Sequence, residues 1–376
     1  MKKVLVLRSI PFSRDIRIKK EAISLSKYYK VHVLLWDSDN TSKLDEPSIE
    51  IKRFTLRGKT RRDKMIGMPI WWIYIIITLF SEKWNYVHAA DFDTFLPAIL
   101  ICKMRRIPIV YDIIDFYADT NFSGSFVLHG LVSSVDKFLM KFADAIILPD
   151  ESRLLQIGLK NCNKVHFILN SPDECNYRHL INSRSDGKPE NTLKLFYGGG
   201  VDPDRGIDFL LSTVSTSKDF YLKIMGPAYS SAYREKLYSL YGDHDNISLH
   251  LHSVPHETII KETMKADVIF ALYDPYSVLN NRYASPNKLY EAMMCSKPII
   301  VSDDTYMADK VRKENFGLVV PYGDILKLKQ ALEKLKQSPV LRRTLGENGR
   351  KAYESKYNWK IMENRLLAVY DSLEDF

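Results

Sequence analysis

The segment Ser285-Pro286-Asn287-Lys288-Leu289-Tyr290-Glu291-Ala292-Met293 carries the sharpest chemical signal in the chain. Ser285 suits a helix N-cap, and Pro286 suits the first helical position, where its missing N–H costs nothing. A helix that starts here points free amides and its dipole at an anion. Lys288 adds a full positive charge in that first turn, where the dipole alone prefers a negative one, and a bound phosphate resolves the mismatch. Glu291 lies three residues after Lys288 and four after Asn287, on the same helix face. It can accept hydrogen bonds from sugar hydroxyls while Lys288 faces phosphate; the alternative is a solvated Lys–Glu pair beside a capped helix.

A second signal is Phe196-Tyr197-Gly198-Gly199-Gly200, followed by Asp202-Pro203-Asp204-Arg205-Gly206. Glycines straight after a strand let the backbone approach a ligand closely, and Arg205 at the next helix start can reach a diphosphate. No G-x-G-x-x-G and no Gly-Lys-Ser/Thr is present, so this is neither a dinucleotide fingerprint nor a P-loop. Metal chemistry is not suggested. Asp202-Pro203-Asp204 reads as the turn that opens the Arg205 helix, and His250 and His252 share a strand face without a third ligand. The four cysteines, Cys102, Cys162, Cys175 and Cys295, are scattered without a C-x-x-C pair, which implies neither a disulfide framework nor a zinc site and fits a reducing, cytoplasmic setting.

The elements that must hold these residues follow from composition and period. With 376 residues, 45% apolar and 27% charged, and 16 each of Gly and Pro, the chain is long enough for more than one core and is ordinary globular material. The excess of 54 Lys+Arg over 46 Asp+Glu leaves +8, which favours an anionic partner. Strands are expected at 4–7, 31–35, 49–54, 86–89, 109–111, 145–148 and 166–169, and again at 193–197, 221–225, 247–251, 268–271, 299–301 and 318–320, alternating with helical patterns. That alternation implies two doubly wound α/β domains with parallel sheets, whose ligands belong at the carboxyl ends of the strands and in the cleft between the domains. Residues 172–192 turn polar and read as a linker.

Met65 to Ser81 carries no formal charge, includes Trp71-Trp72-Ile73-Tyr74-Ile75-Ile76-Ile77 and follows the basic cluster Lys59 to Lys64. Its 17 residues stand at the bottom of the range that can span a bilayer. Pro69, the aromatic pair and basic residues on one side only fit a packed core helix or a monotopic membrane contact better than a span.

The chain resembles the family 4 glycosyltransferases of the GT-B fold along nearly its whole length. The resemblance is carried by Asp15-Ile16-Arg17-Ile18-Lys19-Lys20-Glu21-Ala22, His88-Ala89-Ala90-Asp91, Tyr111-Asp112-Ile113-Ile114-Asp115, the glycine-rich turn, and above all Ala284 through Ile300 with Lys297-Pro298-Ile299-Ile300 at its end. It implies two Rossmann-like domains facing across a cleft: an acceptor-side domain over 1–173, with the C-terminal helix 358–376 packing back on it, a linker over 174–192, and a nucleotide-sugar donor domain over 193–357. It also implies that Arg205 holds the donor diphosphate, that Lys288 lies on the phosphate side, that Glu291 binds the ribose, and that the loop containing Ser253 and Val254 lines the base. Gly199, Gly200, Ser285, Pro286 and Asn287 complete this donor site. Three positions depart from the family pattern: Tyr283 replaces the earlier glutamate that touches the donor sugar, Gly200 replaces a common Arg, and Ile114 replaces a frequent His or Arg.

On the acceptor side, Asp91 and Asp115 end two strands, and each is a candidate to orient or deprotonate an acceptor hydroxyl; capping or buried structural carboxylates are the alternative. Arg8, Arg14 and Arg17, with Asp15, surround the first strand-to-helix loop, where an acceptor phosphate can dock unless they are solvated surface groups. The resulting expectation is a glycosyltransferase that moves a sugar from a nucleotide-diphosphate donor to a lipid-linked or cell-surface polysaccharide acceptor. It would be retaining, independent of metal and cofactor, cytoplasmic, and peripheral on the inner face of the cell membrane through 65–81. Arg205 and Lys288 meet the charge on the leaving diphosphate. A sugar-nucleotide-binding subunit without turnover and a sugar-nucleotide epimerase are the competing readings. No basic stripe with interleaved aromatics appears, so nucleic acid is not expected as a partner.

Overall fold

The computed structural model describes the chain apart from residues 13–14, 38–46, 57–60, 160–162, 182–191 and 374–376. Arg14, Cys162 and most of the expected linker therefore lie outside the described residues. Two compact units are present: Met1–Leu169 with Met362–Phe376, and Asn170–Ile361.

In the first unit, seven short apolar runs become strands: β1 Lys3–Arg8, β2 Lys30–Trp36, β3 Ile49–Phe54, β4 Tyr86–Ala90, β5 Ile109–Asp112, β6 Ala145–Leu148 and β7 Val165–Phe167. They pair in parallel in the order β3-β2-β1-β4-β5-β6-β7. Between them lie α1 Ile16–Ser26, α2 Arg61–Ser81, α3 Phe92–Arg105, α4 Tyr117–Asn121, α5 Phe126–Met140 and α6 Arg153–Ile157. Val4 to Leu7 are buried throughout, as strands covered on both faces must be. The core gathers Leu5, Leu7, Val87, Trp71 and Phe95, the Phe95 ring lying flat on Tyr111 with centroids 3.9 Å apart. One side of α2 (Trp71, Ile75, Leu79) enters that core, so the packed-helix reading holds for this side, while Ile66, Ile70, Ile73 and Ile77 on the other are exposed.

The second unit repeats the plan. It starts with the short helix α7 Arg178–Ile181; its strands are β8 Leu193–Gly198, β9 Phe220–Met225, β10 Ile247–His250, β11 Val268–Ala271, β12 Ile299–Ser302 and β13 Gly317–Val320. All pair in parallel, in the order β10-β9-β8-β11-β12-β13. Its longer helices are α8 Ile207–Ser215, α9 Ser231–Tyr241, α10 His256–Lys265, α12 Asn287–Met294, α13 Tyr306–Glu314, α14 Ile325–Gln337 and α15 Pro339–Ala352, with the single turn α11 Leu279–Arg282 before α12. The polar stretch after 172 is not all linker: Glu174–Tyr177 forms a 3₁₀ turn running into α7. That turn is held in the second unit because Glu174 pairs with Arg350 at 2.9 Å.

The last helix, α16 Trp359–Ser372, belongs from Met362 onward to the first unit. Met362, Leu366, Val369 and Tyr370 are buried there, Glu363 pairs with Lys27, and the Tyr370 hydroxyl lies 3.0 Å from His88 Nδ1. His88 in turn faces Glu21 at 3.4 Å and Asp112 at 3.6 Å. Burial opposes its protonation, yet the two carboxylates outweigh that and lift His88 to about 9. Chain order reverses between β1 and β4 in the first sheet and between β8 and β11 in the second. Crevices at such reversals, beyond the strand carboxyl ends, are where open α/β sheets hold ligands.

Candidate functional site

In the second unit the reversal is lined by the glycine turn after β8, by Tyr273 just beyond β11, and by the start of α12. Gly199 adopts φ +133, and a Cβ there would stand 3.1 Å from Lys288 Nζ. Gly226, after β9, carries an even stricter demand that sequence reasoning overlooked: its φ is +144, and a Cβ would meet the Gly199 carbonyl oxygen at 1.9 Å. Two glycines therefore press together so that the turn can close over Lys288.

Lys288 is buried, its ammonium 3.8 Å from the centroid of Tyr197 and 5.5 Å from that of Tyr273. Among the described residues no carboxylate pairs with it. Burial, reinforced by the charge of Arg205, pulls its amine down to about 7, with Glu291 working weakly against that. Arg205 ends a 3₁₀ turn, Pro203–Arg205, and lies 4.2 Å above the same Tyr273 ring. It donates to Asn281 Oδ1 and, at 3.3 Å, to Asp204. Two cations thus gather around one aromatic ring, an arrangement that suits a multiply charged anion.

The helix start differs in detail from expectation. Pro286 occupies the N-cap position and α12 opens at Asn287. Ser285 does not cap, because its hydroxyl is 2.8 Å from the Tyr290 hydroxyl. The amides of the first turn are thus not taken up by a capping side chain. Glu291 is buried and does not form the alternative, a solvated pair with Lys288; its Oε1 is 2.6 Å from His256 Nε2. The Tyr177 hydroxyl lies 2.7 Å from His256 Nδ1. Tyr177, His256 and Glu291 thus form one hydrogen-bonded row, in which the imidazole's donor and acceptor roles follow its tautomer. Ser253 and Val254 lie in the loop that joins β10 to His256 at the start of α10.

In the first unit the reversal is occupied by ion pairs. Arg8 donates from Nε to Asp15 at 2.5 Å and from Nη1 to Asp91, and Asp15 also caps α1 through the N–H of Ile18 at 3.0 Å. Arg17 reaches Asp112 at 2.8 and 3.0 Å and the carbonyl of Ile168 at 2.6 Å. Both arginines are buried and paired with carboxylates, so they do not lie solvated on the surface. The group Glu21, His88 and Asp112 has the spacing of a metal site, but Arg17 bridges its two carboxylates, which makes it a charge-balanced internal network.

The structure does bring Asp91 and Asp115 together. Asp91 Oδ1 accepts the N–H groups of Ile114 at 3.0 Å and Asp115 at 3.4 Å. Burial raises the Asp91 carboxyl to about 6, with Arg8 opposing and Asp93 and Asp115 assisting. Its backbone, φ 64 and ψ 165, lies in a region that residues with side chains rarely occupy, and such strain concentrates at functional sites. Asp115 is half exposed and accepts from Arg153 at 2.9 Å.

Two parallel-sheet Rossmann-like units are the architecture of solved GT-B structures. Residues 180–352 match the family described as Glycosyl transferases group 1. The chain is 24% identical over 231 residues to the capsular polysaccharide biosynthesis glycosyltransferase CapM of Staphylococcus aureus, a match covering 60% of this chain and 57% of that protein. It is 33% identical over 82 residues to a GDP-mannose-dependent monoacylated alpha-(1-6)-phosphatidylinositol monomannoside mannosyltransferase of Corynebacterium glutamicum, 22% of this chain and 21% of that one. The matched part thus spans little more than half the length of CapM and less of the other. Among solved structures, sucrose-phosphate synthase from Thermosynechococcus elongatus superposes with a TM-score of 0.79 at 16% identity, covering 100% of both chains. Anabaena Alr3699/HepE in complex with UDP-glucose gives 0.75 at 14%, covering 99% of this chain and 100% of that one. These likenesses establish the fold.

Proposed function

We propose that the chain is a retaining glycosyltransferase that moves a sugar from a nucleotide-diphosphate donor, bound in the second unit, to a hydroxyl of a lipid-linked or cell-surface polysaccharide precursor. The observation that carries this is Lys288: a buried cation without a carboxylate partner among the described residues, beside Arg205 and the uncapped amides of α12. When the bond from the anomeric carbon to the β-phosphate oxygen breaks, charge develops on the diphosphate, and preorganised cations aimed there supply the main stabilisation. Arg205, Lys288 and the helix start do this without a metal or other cofactor. Glu291, held by His256 through one oxygen, binds the ribose hydroxyls. Ser253 and Val254 flank the base.

In the first unit, Asp91 and Asp115 are the carboxylates for the acceptor hydroxyl. The polysaccharide acceptor is supported by the likeness to CapM, and the nucleotide-sugar donor by the UDP-glucose complex of the structural relative. The location is the inner face of the cell membrane, with peripheral contact through 65–81, whose outer side is apolar. The test is to incubate the protein with UDP-, GDP- and ADP-sugars, with and without a lipid extract of the source cells, and follow the sugar by NMR. A new glycosidic product with retained configuration, formed only with the extract, is expected. A new sugar nucleotide without extract identifies an epimerase, and no turnover in any mixture identifies a binding subunit.

A further inference from the structure

The function proposed above makes no use of α5. Phe126, Val127, Leu128, Leu131, Val135 and Phe138 of this helix are exposed, Phe126 at 93%, while Ser133, Asp136 and Met140 form its inner side. Steps of three and four residues put Leu128, Leu131, Val135 and Phe138 on one stripe. α3 packs against both α2 and α5, and its own Leu100 and Met104 are exposed. With Ile66, Ile70, Ile73, Ile77 and Phe80 of α2, three neighbouring helices turn apolar side chains outward, more than scattered surface residues of a soluble monomer require.

The three helices also end together. Arg105, closing α3, donates to the carbonyls of Leu79 and Glu82 at the end of α2. Lys103 pairs at 2.7 Å with Asp144, just beyond α5. Lys83, Arg106 and Lys141 follow directly on the ends of the three helices. The acids nearby are already committed: Glu82 to Lys3 and Lys52, and Asp144 to Lys103 and the N–H of Ile109. The apolar stripes therefore run into a cationic collar.

We infer that α5, with α2 and α3, seats the first unit on an anionic phospholipid bilayer. The inference rests on the membrane location proposed above and extends it from one helix to three. Acyl chains take the stripes and lipid phosphates take the collar. A second copy docked through the same face would set one cationic collar against another. The seat also leads to the acceptor carboxylates. His129 of α5 lies 2.6 Å from Asp119 Oδ1, Gln156 donates to Asp119 Oδ2 at 2.6 Å, Arg153 donates to Gln156 at 2.6 Å, and Arg153 donates to Asp115 at 2.9 Å. Asp115 thus stands one hydrogen-bonded row from the surface at which a lipid-linked hydroxyl is presented.

The experiment is flotation of the full chain with vesicles of phosphatidylcholine alone or mixed with phosphatidylglycerol, at low and high salt. Binding to the mixed vesicles, weakened by salt, is expected; Leu131→Glu with Phe138→Glu should lower it about tenfold or more with the thermal midpoint unchanged. If that double variant floats like the wild type while Ile73→Glu with Ile77→Glu does not, α5 is not part of the seat and the single-helix contact stands. If the wild type floats with neither vesicle, the inference and the membrane location both fall. A dimer in solution that the α5 variant dissociates, without flotation, assigns the face to a second copy and overturns the proposal.

Discussion

Lys288 is the residue on which the proposed donor site turns. Its amine is drawn to about 7 by burial and by Arg205, whereas an anion held against it favours the charged form. Nucleoside diphosphate binding near neutral pH is therefore expected to take up protons, and affinity should fall as pH rises above 7. Calorimetry in two buffers of different ionisation heat reads the proton directly; a heat independent of buffer contradicts the assignment. Lys288 itself was legible, since a lysine in a helix's first turn is at odds with the dipole. Its neighbours were only partly so. His256, which holds Glu291, lies 35 residues away in the chain, and Asn281, which holds Arg205, lies 76 away. Arg8 and Arg17 looked like free surface cations because their carboxylates, Asp91 and Asp112, arrive 83 and 95 residues later. Local sequence shows the charge on a side chain and hides the partner that a distant strand delivers.

At the scale of elements, the clearest device is the junction of β4, β5, α1 and α16 around His88. A histidine lifted to about 9 from an unfolded value near 6.5 favours the folded state while it is charged. That stability is fully present below about pH 6.5 and is lost as pH rises through 9, on the order of 3 kcal/mol in all. Chemical denaturation from pH 6 to 10 should show the decline, and His88→Gln should flatten it. A wild-type profile that is flat or rises over that window contradicts the network. All thirteen strands among the described residues were readable, because fully buried parallel strands are short runs of Val, Ile and Leu bounded by turns. Their order was not, since period reports burial and not neighbours. α5 escaped notice for a related reason: Phe126–Met140 mixes β-branched residues, a glycine and apolar groups on its outer side, so its pattern lacks the polar face that marks an ordinary surface helix. The cap of α12 was misplaced by one residue because Ser285 has a better partner in Tyr290.

Taken whole, the molecule is two copies of one architectural plan put to opposite electrostatic use. The reversal in the second sheet presents Lys288, which has no carboxylate partner among the described residues, beside Arg205, while that in the first presents paired arginines and two close carboxylates, Asp91 and Asp115. The surplus of +8 suits both a diphosphate and an anionic surface. The central claim is that the second unit binds a nucleoside diphosphate through Lys288 without a metal. It is tested most directly by titration calorimetry of the full chain with UDP, GDP and ADP in EDTA, beside Lys288→Ala. The account predicts that one of the three binds at about micromolar level, near 8 kcal/mol, and that the variant loses at least ~tenfold of that affinity. Binding of none of them, or equal binding by wild type and variant, would contradict it.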